Sequence, residues 1–310
     1  MSTPSATTPA DDLITLRDWL RYAVSRFAEA KVEFGQGTET ALDEAAFLIL
    51  WALHLPIDTF DPFADARLTR PEREKLLALI EARITTRKPA AYLTGEAWIK
   101  GNRFIVDERV IVPRSYIGEF LAGDGPPPFG APGIGRVLDL CTGSGCLAIL
   151  AALAYPDATV DAVDLSGDAL KVAQVNVADY GLGSQVRLLQ GDLFAPLGDA
   201  RYDLIICNPP YVSDEIIARY PVEHGWEPHI AHAGGPDGLA IVRRILAEAG
   251  SHLLPGGELV MEVGLGQALI ASEYPQVPFV WLETEDSQGD VLLLAAEGLA
   301  PMRRAKRRRK

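Results

Sequence analysis

The sequence contains few residues of the kind that cross-link a protein or bind zinc through thiolates. Only three of its 310 residues are cysteines, Cys141, Cys146 and Cys207, and no two of them have Cys-x-x-Cys spacing. An odd number without that spacing argues against a disulfide framework and against a zinc site. We therefore interpret all three as small buried residues and expect no metal.

Long apolar runs and targeting features are also absent. No apolar run reaches the roughly 20 residues that a membrane-spanning helix needs. The first twelve residues are rich in Ser, Thr, Pro and Ala, and they lack the basic start and apolar centre of a secretory signal. We expect residues 1–12 to be a disordered tail, and the protein to be cytoplasmic with no membrane partner.

Charge is distributed unevenly along the chain. The net charge is -13, yet the last eight residues, Arg303 to Lys310, contain seven Lys or Arg and no acid. The body is therefore strongly acidic, and such a body repels nucleic acid and attracts basic proteins. We expect 299–310 to be a basic tail, for which two interpretations stay open: a solvated end, or an electrostatic contact with ribosomal RNA.

The first part of the chain has helical periodicity. Apolar residues of the segment 13–32, such as Leu16, Trp19 and Phe27, fall on one face of a helix. Further helices are predicted over 39–53 and over 71–85, where Pro71 suits the first turn. Residues 13–88 are therefore predicted to form a small helical domain.

A connector is predicted over 89–135. The segments 92–99 and 104–112 are strand-like and flank the turn Lys100-Gly101-Asn102, which indicates a β-hairpin. Gly and Pro dominate 123–135, which is typical of a loop.

Strands and helices alternate from Arg136 onwards. Strands are predicted over 137–140, 159–164, 186–190, 202–207 and 257–263, with 280–283 and 290–295 as a last pair. Helices are predicted over 146–154, 167–180 and 239–253. This alternation predicts a doubly wound α/β domain over 136–298, with a seven-stranded, mostly parallel, Rossmann-like sheet and helices on both faces.

The first strand of this series leads into a glycine-rich turn. Asp139 lies near the strand end, and Cys141-Thr142-Gly143-Ser144-Gly145 opens the next helix. Glycines let the backbone approach a ligand closely, but the third Gly of a dinucleotide site and the Lys of a P-loop are both missing. Asp139 instead indicates a ligand with a cationic group, such as the amino group of S-adenosylmethionine. A purely structural turn is the alternative.

Acids also follow the next two strands. Asp164, with Leu165 beside it, can accept from both hydroxyls of a ribose. Asp192 can accept from an adenine amino group, with Leu193 or Phe194 against the ring. Asp164 could instead cap the following helix, although Ser166 can do that equally well. Three acids at three successive strand ends match one adenosine-bearing ligand that lies across the top of the sheet.

The fourth strand runs into Asn208-Pro209-Pro210-Tyr211. The two prolines freeze the backbone and remove two N–H groups, so the carbonyls here can face a substrate. The Asn208 side chain and the Pro209 carbonyl can accept the two hydrogens of a planar NH2 group and so aim its nitrogen at a methyl sulfonium. No strong base is needed, and Tyr211 would stack on the planar group or exclude water. By itself the motif specifies only a planar NH2, which adenine and glutamine share.

The motif from Asn208 to Tyr211, together with the turn from Asp139 to Gly145, resembles the class I protein-glutamine N5-methyltransferases. The resemblance extends over nearly the whole chain from Pro89. It implies that the Asn-Pro-Pro-Tyr motif binds the target glutamine and that Asp139 and Asp164 bind S-adenosylmethionine. We also expect Arg114 to bind substrate and the helical domain to recognise it.

This family has two branches. One methylates the Gly-Gly-Gln loop of peptide release factors, and the other a glutamine in the third protein of the large ribosomal subunit. The chain resembles the second, because Cys141 stands where the first branch usually has Gly, and 113–119 reads Pro-Arg-Ser-Tyr-Ile-Gly-Glu where that branch usually has Pro-Arg-Pro-x-Thr-Glu. Glu227-Pro228 followed by 235–239 also fits the ribosomal-protein branch. The Pro-rich insertion near Pro126 and the basic tail are unlike typical members.

Three alternatives stay open beside methylation of a ribosomal protein. One is methylation of a release factor. A second is adenine N6-methylation of nucleic acid, which requires a basic groove and is disfavoured by the acidic body. The third is a non-catalytic role in ribosome assembly, in which the basic tail would hold the ribosome precursor.

Overall fold

The computed structural model describes residues 8–130, 133–283 and 288–299. These residues form two compact units. The first unit combines the chain up to Glu96 with the segment Pro221–Trp226, and the second contains the rest. The boundary between these units, at Glu96 and Ala97, lies inside the predicted connector 89–135. No helix of the described residues is long and apolar enough to cross a membrane.

The first unit is helical. Its helices are α1 (Pro9–Asp12), α2 (Leu16–Glu29), α3 (Ala41–Ala52), α4 (Arg70–Thr86) and α5 (Ala90–Thr94). The predicted periodicity is confirmed for α2, because Leu16, Trp19, Ala23 and Phe27 are its buried residues. They pack against the buried Leu48 and Ile49 of α3 and Leu76 and Ile80 of α4. The three helices predicted for this region are therefore all present.

The prediction that residues 1–12 are a disordered tail is wrong for Pro9–Asp12. The carboxylate of Asp11 accepts a hydrogen bond from the backbone N–H of Thr8 at 2.9 Å, which caps the first turn of α1. Ala10 is buried in the core of the unit. Residues 1–7 lie outside the described residues.

The segment Pro221–Trp226 joins the first unit through buried polar contacts. The carboxylate of Glu223 is buried and accepts from the Glu33 backbone N–H at 3.2 Å and from the Arg87 guanidinium at 3.1 Å. The indole N–H of Trp226 donates to the Thr86 carbonyl at 3.2 Å. A stretch that follows the Asn-Pro-Pro-Tyr motif by ten residues is thus anchored among helices from the start of the chain.

The predicted hairpin exists but is shorter than the sequence indicated. Its strands are β1 (Glu96–Ile99) and β2 (Asn102–Ile105). The strand predicted from Tyr92 is wrong over 92–94, because those residues belong to α5, which ends at Gly95 in a left-handed conformation (φ 74°). The second strand stops before Asp107, where a turn closes with a hydrogen bond from Val110 N to Asp107 O.

The second unit is built on a seven-stranded sheet. Its strands are β3 (Arg136–Leu140), β4 (Thr159–Asp164), β5 (Val186–Gln190), β6 (Tyr202–Cys207), β7 (Leu253–Glu262), β8 (Val280–Glu283) and β9 (Gln288–Ala295). The order is β5-β4-β3-β6-β7-β9-β8. The first five strands in this order pair in parallel, whereas β9 is antiparallel to both β7 and β8. The predicted fold class is confirmed.

Helices cover both faces of this sheet. They are α6 (Tyr116–Ala122), α7 (Cys146–Ala154), α8 (Gly167–Asp179), α10 (Ala240–His252) and α11 (Gln267–Glu273), whereas the four-residue α9 (Asp214–Ile217), between β6 and α10, has no buried residue. Alternate residues of β6 enter two separate cores: Leu204 and Ile206 pack with α7, while Ile205 and Cys207 pack with α10. This two-sided burial explains the run of four consecutive apolar residues from Leu204 to Cys207 in the central strand β6.

Candidate active site

The ends of the central strands meet at one edge of the sheet. Leu140 at the end of β3 pairs with Val163 of β4 and with Cys207 of β6. In a doubly wound sheet the carboxyl edge at the point where the strand order reverses is the usual ligand site. Here that point lies between β3 and β6, so the glycine-rich turn and the Asn-Pro-Pro-Tyr motif are neighbours.

Two adjoining cavities open at this edge. The first encloses about 850 Å³ of empty space and the second about 770 Å³, each partly open to solvent. Of the predicted site residues, the first cavity is lined by Cys141, Gly143, Asp164, Leu165, Asp192, Leu193, Asn208 and Pro210. The second is lined by Arg114, Cys141, Thr142, Gly143, Ser144, Asn208, Pro209 and Tyr211. Cys141, Gly143 and Asn208 line both, and this shared wall joins the two cavities.

Asp164 lies at the first cavity with both carboxylate oxygens fixed by the backbone. Its Oδ2 accepts from Gly143 N and its Oδ1 from Ser166 N, both at 2.8 Å. Burial raises the pKa of Asp164, against the lowering effect of these N–H groups. Ser166 caps α8 by accepting from Ala169 N, so Asp164 is not needed as the cap. Each oxygen keeps a lone pair that can accept from a ligand hydroxyl.

Asp139 lies beneath the glycine-rich turn and lines neither cavity. It is fully buried, its Oδ2 accepts from the hydroxyl of Thr142, and its Oδ1 has no hydrogen-bond partner among the described residues. Burial raises the pKa of Asp139 to about 7. Asp139 is therefore covered by the turn, with one buried carboxylate oxygen left unsatisfied, and its contact with a cationic ligand group stays a prediction.

The turn above Asp139 adopts left-handed backbone conformations. The φ angles of Cys141, Gly143 and Gly145 are 60°, 55° and 81°. Gly145 lines neither cavity, and a Cβ atom on it would lie 3.1 Å from Cβ of Ala173, so its small size lets α8 approach. The buried side chain of Asn176 supports the turn by donating to the Ser144 carbonyl at 2.9 Å. Asn176 was not among the predicted site residues.

Of the residues predicted to contact the adenine after β5, Asp192 and Leu193 line the first cavity and Phe194 does not. Asp192 lines the first cavity, but its Oδ2 also pairs with the Arg244 guanidinium at 2.8 Å. Leu193 lines the same cavity, with a left-handed φ of 51°. Phe194 does not line it: its ring stacks on His252 in the core, with centroids 4.7 Å apart. Of the two residues proposed to lie against a ring, only Leu193 has the required position.

Asn208 has a fixed amide orientation. Its Nδ2 donates to the main-chain carbonyl of Arg114 at 3.2 Å, so Oδ1 is the acceptor that remains on this side chain. Pro209 lines the second cavity and Pro210 lines the first. The motif therefore forms part of the wall of both cavities at the place where they meet.

Tyr211 lines the second cavity and packs closely against two glycines, Gly238 and Gly264. A Cβ atom on Gly264 would come within 2.7 Å of Cε2 of Tyr211, and one on Gly238 within 2.4 Å of the Tyr211 carbonyl oxygen. Burial raises the pKa of the Tyr211 hydroxyl, so it stays protonated. Gly264 was not predicted, and no motif in the sequence marks it.

Arg114 is bound to a buried carboxylate. Its guanidinium makes a two-pronged pair with Glu227, with distances of 2.9 and 3.0 Å, and Glu227 also accepts from Val112 N at 3.0 Å. Burial alone would raise the pKa of Glu227, but His232 and Arg114 lower it well below its usual value. Arg114 lines the second cavity as predicted. Glu227 was recognised in the sequence only as part of a motif.

A second buried carboxyl, Glu262, lies at the end of β7. Its Oε1 accepts from the Ser115 hydroxyl and from Ile117 N. Burial raises the pKa of Glu262 to about 7. It lines neither cavity and was not predicted. The signal in the sequence is a single acid within the apolar stretch from Leu259 to Val263.

Comparison with known proteins also indicates a methyltransferase. Residues 129–222 match the family model of the methyltransferase small domain. The chain is 55% identical to the ribosomal protein uL3 glutamine methyltransferase of Bradyrhizobium diazoefficiens, over 93% of this chain and 92% of that protein.

Further relatives carry the same name. The protein of Burkholderia pseudomallei is 52% identical over 94% of this chain and 98% of its own length. That of Bordetella pertussis is 53% identical over 93% of this chain and 97% of its own length. With this identity over almost the entire length, the chain belongs to the family of ribosomal protein uL3 glutamine methyltransferases.

Proposed function

We propose that this chain transfers a methyl group from S-adenosylmethionine to the side-chain amide nitrogen of a glutamine in ribosomal protein uL3. The observation that carries the proposal is the orientation of Asn208 at the junction of the two cavities. Its Nδ2 is occupied by the Arg114 carbonyl, so Oδ1 is available to accept a hydrogen from a planar NH2 group. The relatives named for uL3 support glutamine in that protein as the source of this group, rather than a release factor.

The first cavity fits a nucleoside of this cofactor. Asp164 offers carboxylate oxygens to the ribose, while Leu165, Leu193 and Ile241 provide apolar walls for a base. A Cβ atom on Gly143 would meet nothing within 4 Å, and Gly143 lines both cavities with a φ of 55°, so the backbone there is open to a ligand. The unpaired Oδ1 of Asp139 is a further acceptor that a small shift of the turn would expose to an ammonium group.

In the proposed reaction the protein acts mainly by positioning. When bound, the cofactor supplies a methyl group on a positively charged sulfur. Asn208 Oδ1 and the Pro209 carbonyl hold the two amide hydrogens of the glutamine, which orients its nitrogen towards the first cavity. Tyr211 closes the second cavity against water. The bond between sulfur and the methyl carbon would break as the new N–C bond forms, and the nitrogen would then release an acidic proton to solvent, so neither Asp139 nor Glu262 is required as a base.

Other parts of the chain are assigned to the protein substrate and its surroundings. We propose that the helical unit recognises uL3, whose glutamine must be presented to the second unit. The basic tail, which apart from Leu299 lies outside the described residues, is proposed to contact ribosomal RNA through its charge. Because the proposed substrate is a ribosomal protein, the reaction is expected to take place in the cytoplasm.

The test is a transfer assay with methyl-labelled S-adenosylmethionine. Purified uL3, a release factor, ribosomal RNA and DNA are offered separately, and mass spectrometry locates the label. We expect label on one glutamine of uL3, and a loss of about 100-fold or more in Asn208→Ala, because this variant loses a positioning contact.

The proposal fails if label enters only nucleic acid or only the release factor. It also fails if Asn208→Ala methylates uL3 at the wild-type rate. A non-catalytic role in ribosome assembly would be favoured if cells that contain inactive Asn208→Ala assemble ribosomes normally while cells without the protein do not.

A further inference from the structure

Glu262 is an acid at the buried end of an otherwise apolar strand. It is the last residue of β7 and only 2% exposed. The preceding residue, Met261, pairs with Cys207 of β6. Because β6 and β7 are parallel, Glu262 at the end of β7 lies at the same level as Asn208, the residue that follows β6. A carboxyl buried here would be costly unless its oxygens were hydrogen-bonded.

One carboxyl oxygen of Glu262 accepts two hydrogen bonds from the segment 115–117. Oε1 accepts from the Ser115 hydroxyl and, at 3.1 Å, from the backbone N–H of Ile117. Ser115 in turn caps α6 by accepting from Gly118 N at 3.2 Å. Glu262 therefore fixes the chain at the point where the extended stretch before α6 becomes helical.

The same segment is fixed on its other side by Glu227. That carboxylate binds the Arg114 guanidinium and the backbone N–H of Val112. The peptide group that joins Arg114 to Ser115 thus lies between two buried carboxyl groups. Its carbonyl oxygen is the one that accepts from Nδ2 of Asn208.

We propose that Glu262 is a positioning residue for methyl transfer: through Ser115 and Ile117 it holds the Arg114 carbonyl in place and thereby fixes the orientation of the Asn208 amide. Glu262 lines neither cavity, so it acts without contacting substrate or cofactor. If the Arg114–Ser115 peptide group were free to rotate, Nδ2 of Asn208 would lose its acceptor and the amide could turn its NH2 towards the substrate. The inference rests on the proposed function, because it concerns the residue that would hold the glutamine.

The experiment compares two substitutions of Glu262 in the full chain. Glu262→Gln keeps an oxygen that accepts from Ser115 and Ile117, whereas Glu262→Leu has similar size and no acceptor. We expect Glu262→Leu to lower kcat for uL3 roughly 10- to 100-fold, with unchanged KM for uL3 and unchanged Kd for S-adenosylmethionine. Glu262→Gln should retain kcat.

Glu258→Leu is the matched control. Glu258 lies on the same strand and also accepts from a backbone N–H, that of Gly130 at 2.6 Å, but it pairs in register with Leu204, towards the opposite end of β6. Its substitution removes a carboxylate from the same strand at a distance from Asn208. Its kcat should equal that of the wild type.

The inference is overturned if Glu262→Leu keeps the wild-type kcat, if Glu262→Gln is as impaired as Glu262→Leu, or if cofactor binding is lost together with kcat. Should Glu262→Leu not fold, Ser115→Ala decides. A lowered kcat at unchanged KM in that variant supports the inference, whereas an unchanged kcat overturns it. These outcomes are separate from the proposed function, which stands as long as the wild type labels a glutamine of uL3 and Asn208→Ala does not.

Discussion

The ring of Tyr211 lies directly against Gly264. A Cβ atom at position 264 would be 2.7 Å from Cε2 and 2.9 Å from Cδ2 of Tyr211, closer than side-chain atoms tolerate. Gly264 also has a φ of 50°, a conformation that favours glycine. The glycine after β7 therefore sets the position of the aromatic residue of the Asn-Pro-Pro-Tyr motif.

Gly264→Ala is expected to lower methyl transfer by displacing Tyr211, in addition to a backbone cost of roughly 1–2 kcal/mol. Gly256→Ala separates the two effects, because Gly256 has a φ of 75° and its Cβ atom would meet nothing within 4 Å. The measurements are the free energy of unfolding and kcat with uL3. Equal kcat values in the two variants would show that contact with Tyr211 is not needed.

The fold was predictable from the sequence because its strongest signals are local. The strands β3 and β6 are short, mostly apolar segments of five and six residues bounded by turn residues, and two-sided burial favours that composition. Short helices were missed for the same reason. With seven residues, α6 is too short for a helical period to stand out, and Ser115 marks its start only once the cap is seen.

The sequence allowed us to predict which strand ends form the site. It did not allow us to predict in which direction each side chain points. Sequence spacing placed Asp139 at the right edge, yet it could not indicate that its carboxylate turns under the loop towards Thr142. It also could not choose between Leu193 and Phe194, since no regular periodicity sets side-chain direction in a turn and the packing of Phe194 on His252 decides. Partners distant in sequence, such as Glu262 and Ser115, became evident only from the fold.

Asp164→Ala is expected to weaken cofactor binding by about 1–3 kcal/mol, since both a ribose contact and the acceptor of Gly143 N would be lost. Titration calorimetry with S-adenosylmethionine measures the change. Asp168→Ala is the control: Asp168 lies four residues further on, in the first turn of α8, and forms an exposed ion pair with Lys171. Equal affinities in the wild type and Asp164→Ala would remove Asp164 from the site.

Glu227→Ala is expected to destabilise the second unit by about 1–3 kcal/mol, because the partly exposed Arg114 guanidinium and the Val112 backbone N–H both lose their acceptor. Equilibrium denaturation of wild type and variant gives the difference. Glu215→Ala removes an exposed carboxylate that pairs with Arg219, and its cost should stay below about 1 kcal/mol. A Glu227→Ala variant as stable as Glu215→Ala would contradict the importance of the buried pair.

The raised pKa of Glu262 predicts a distinct dependence of stability on pH. Burial, with a smaller effect from the charges of Asp290 and Glu119, raises this pKa from 4.5 to about 7 against the opposing hydrogen bonds from Ser115 and Ile117. The unfolded chain therefore releases this proton at lower pH than the folded chain does. The contribution of Glu262 to stability is complete below about pH 4.5 and is lost as the pH rises to about 7.

Glu262→Gln isolates this contribution, since glutamine stays neutral throughout and the other acids whose pKa is raised by burial, such as Glu44, Asp139 and Asp164, are present in both proteins. The free energies of unfolding of wild type and variant should differ progressively as the pH rises from 5 to 8, with the wild type losing roughly 3 kcal/mol relative to the variant. Denaturation curves at several pH values give this difference directly. A constant difference over that range would mean that Glu262 is already ionised in the folded protein at pH 5, and that its hydrogen bonds to Ser115 and Ile117 outweigh the cost of burying its charge.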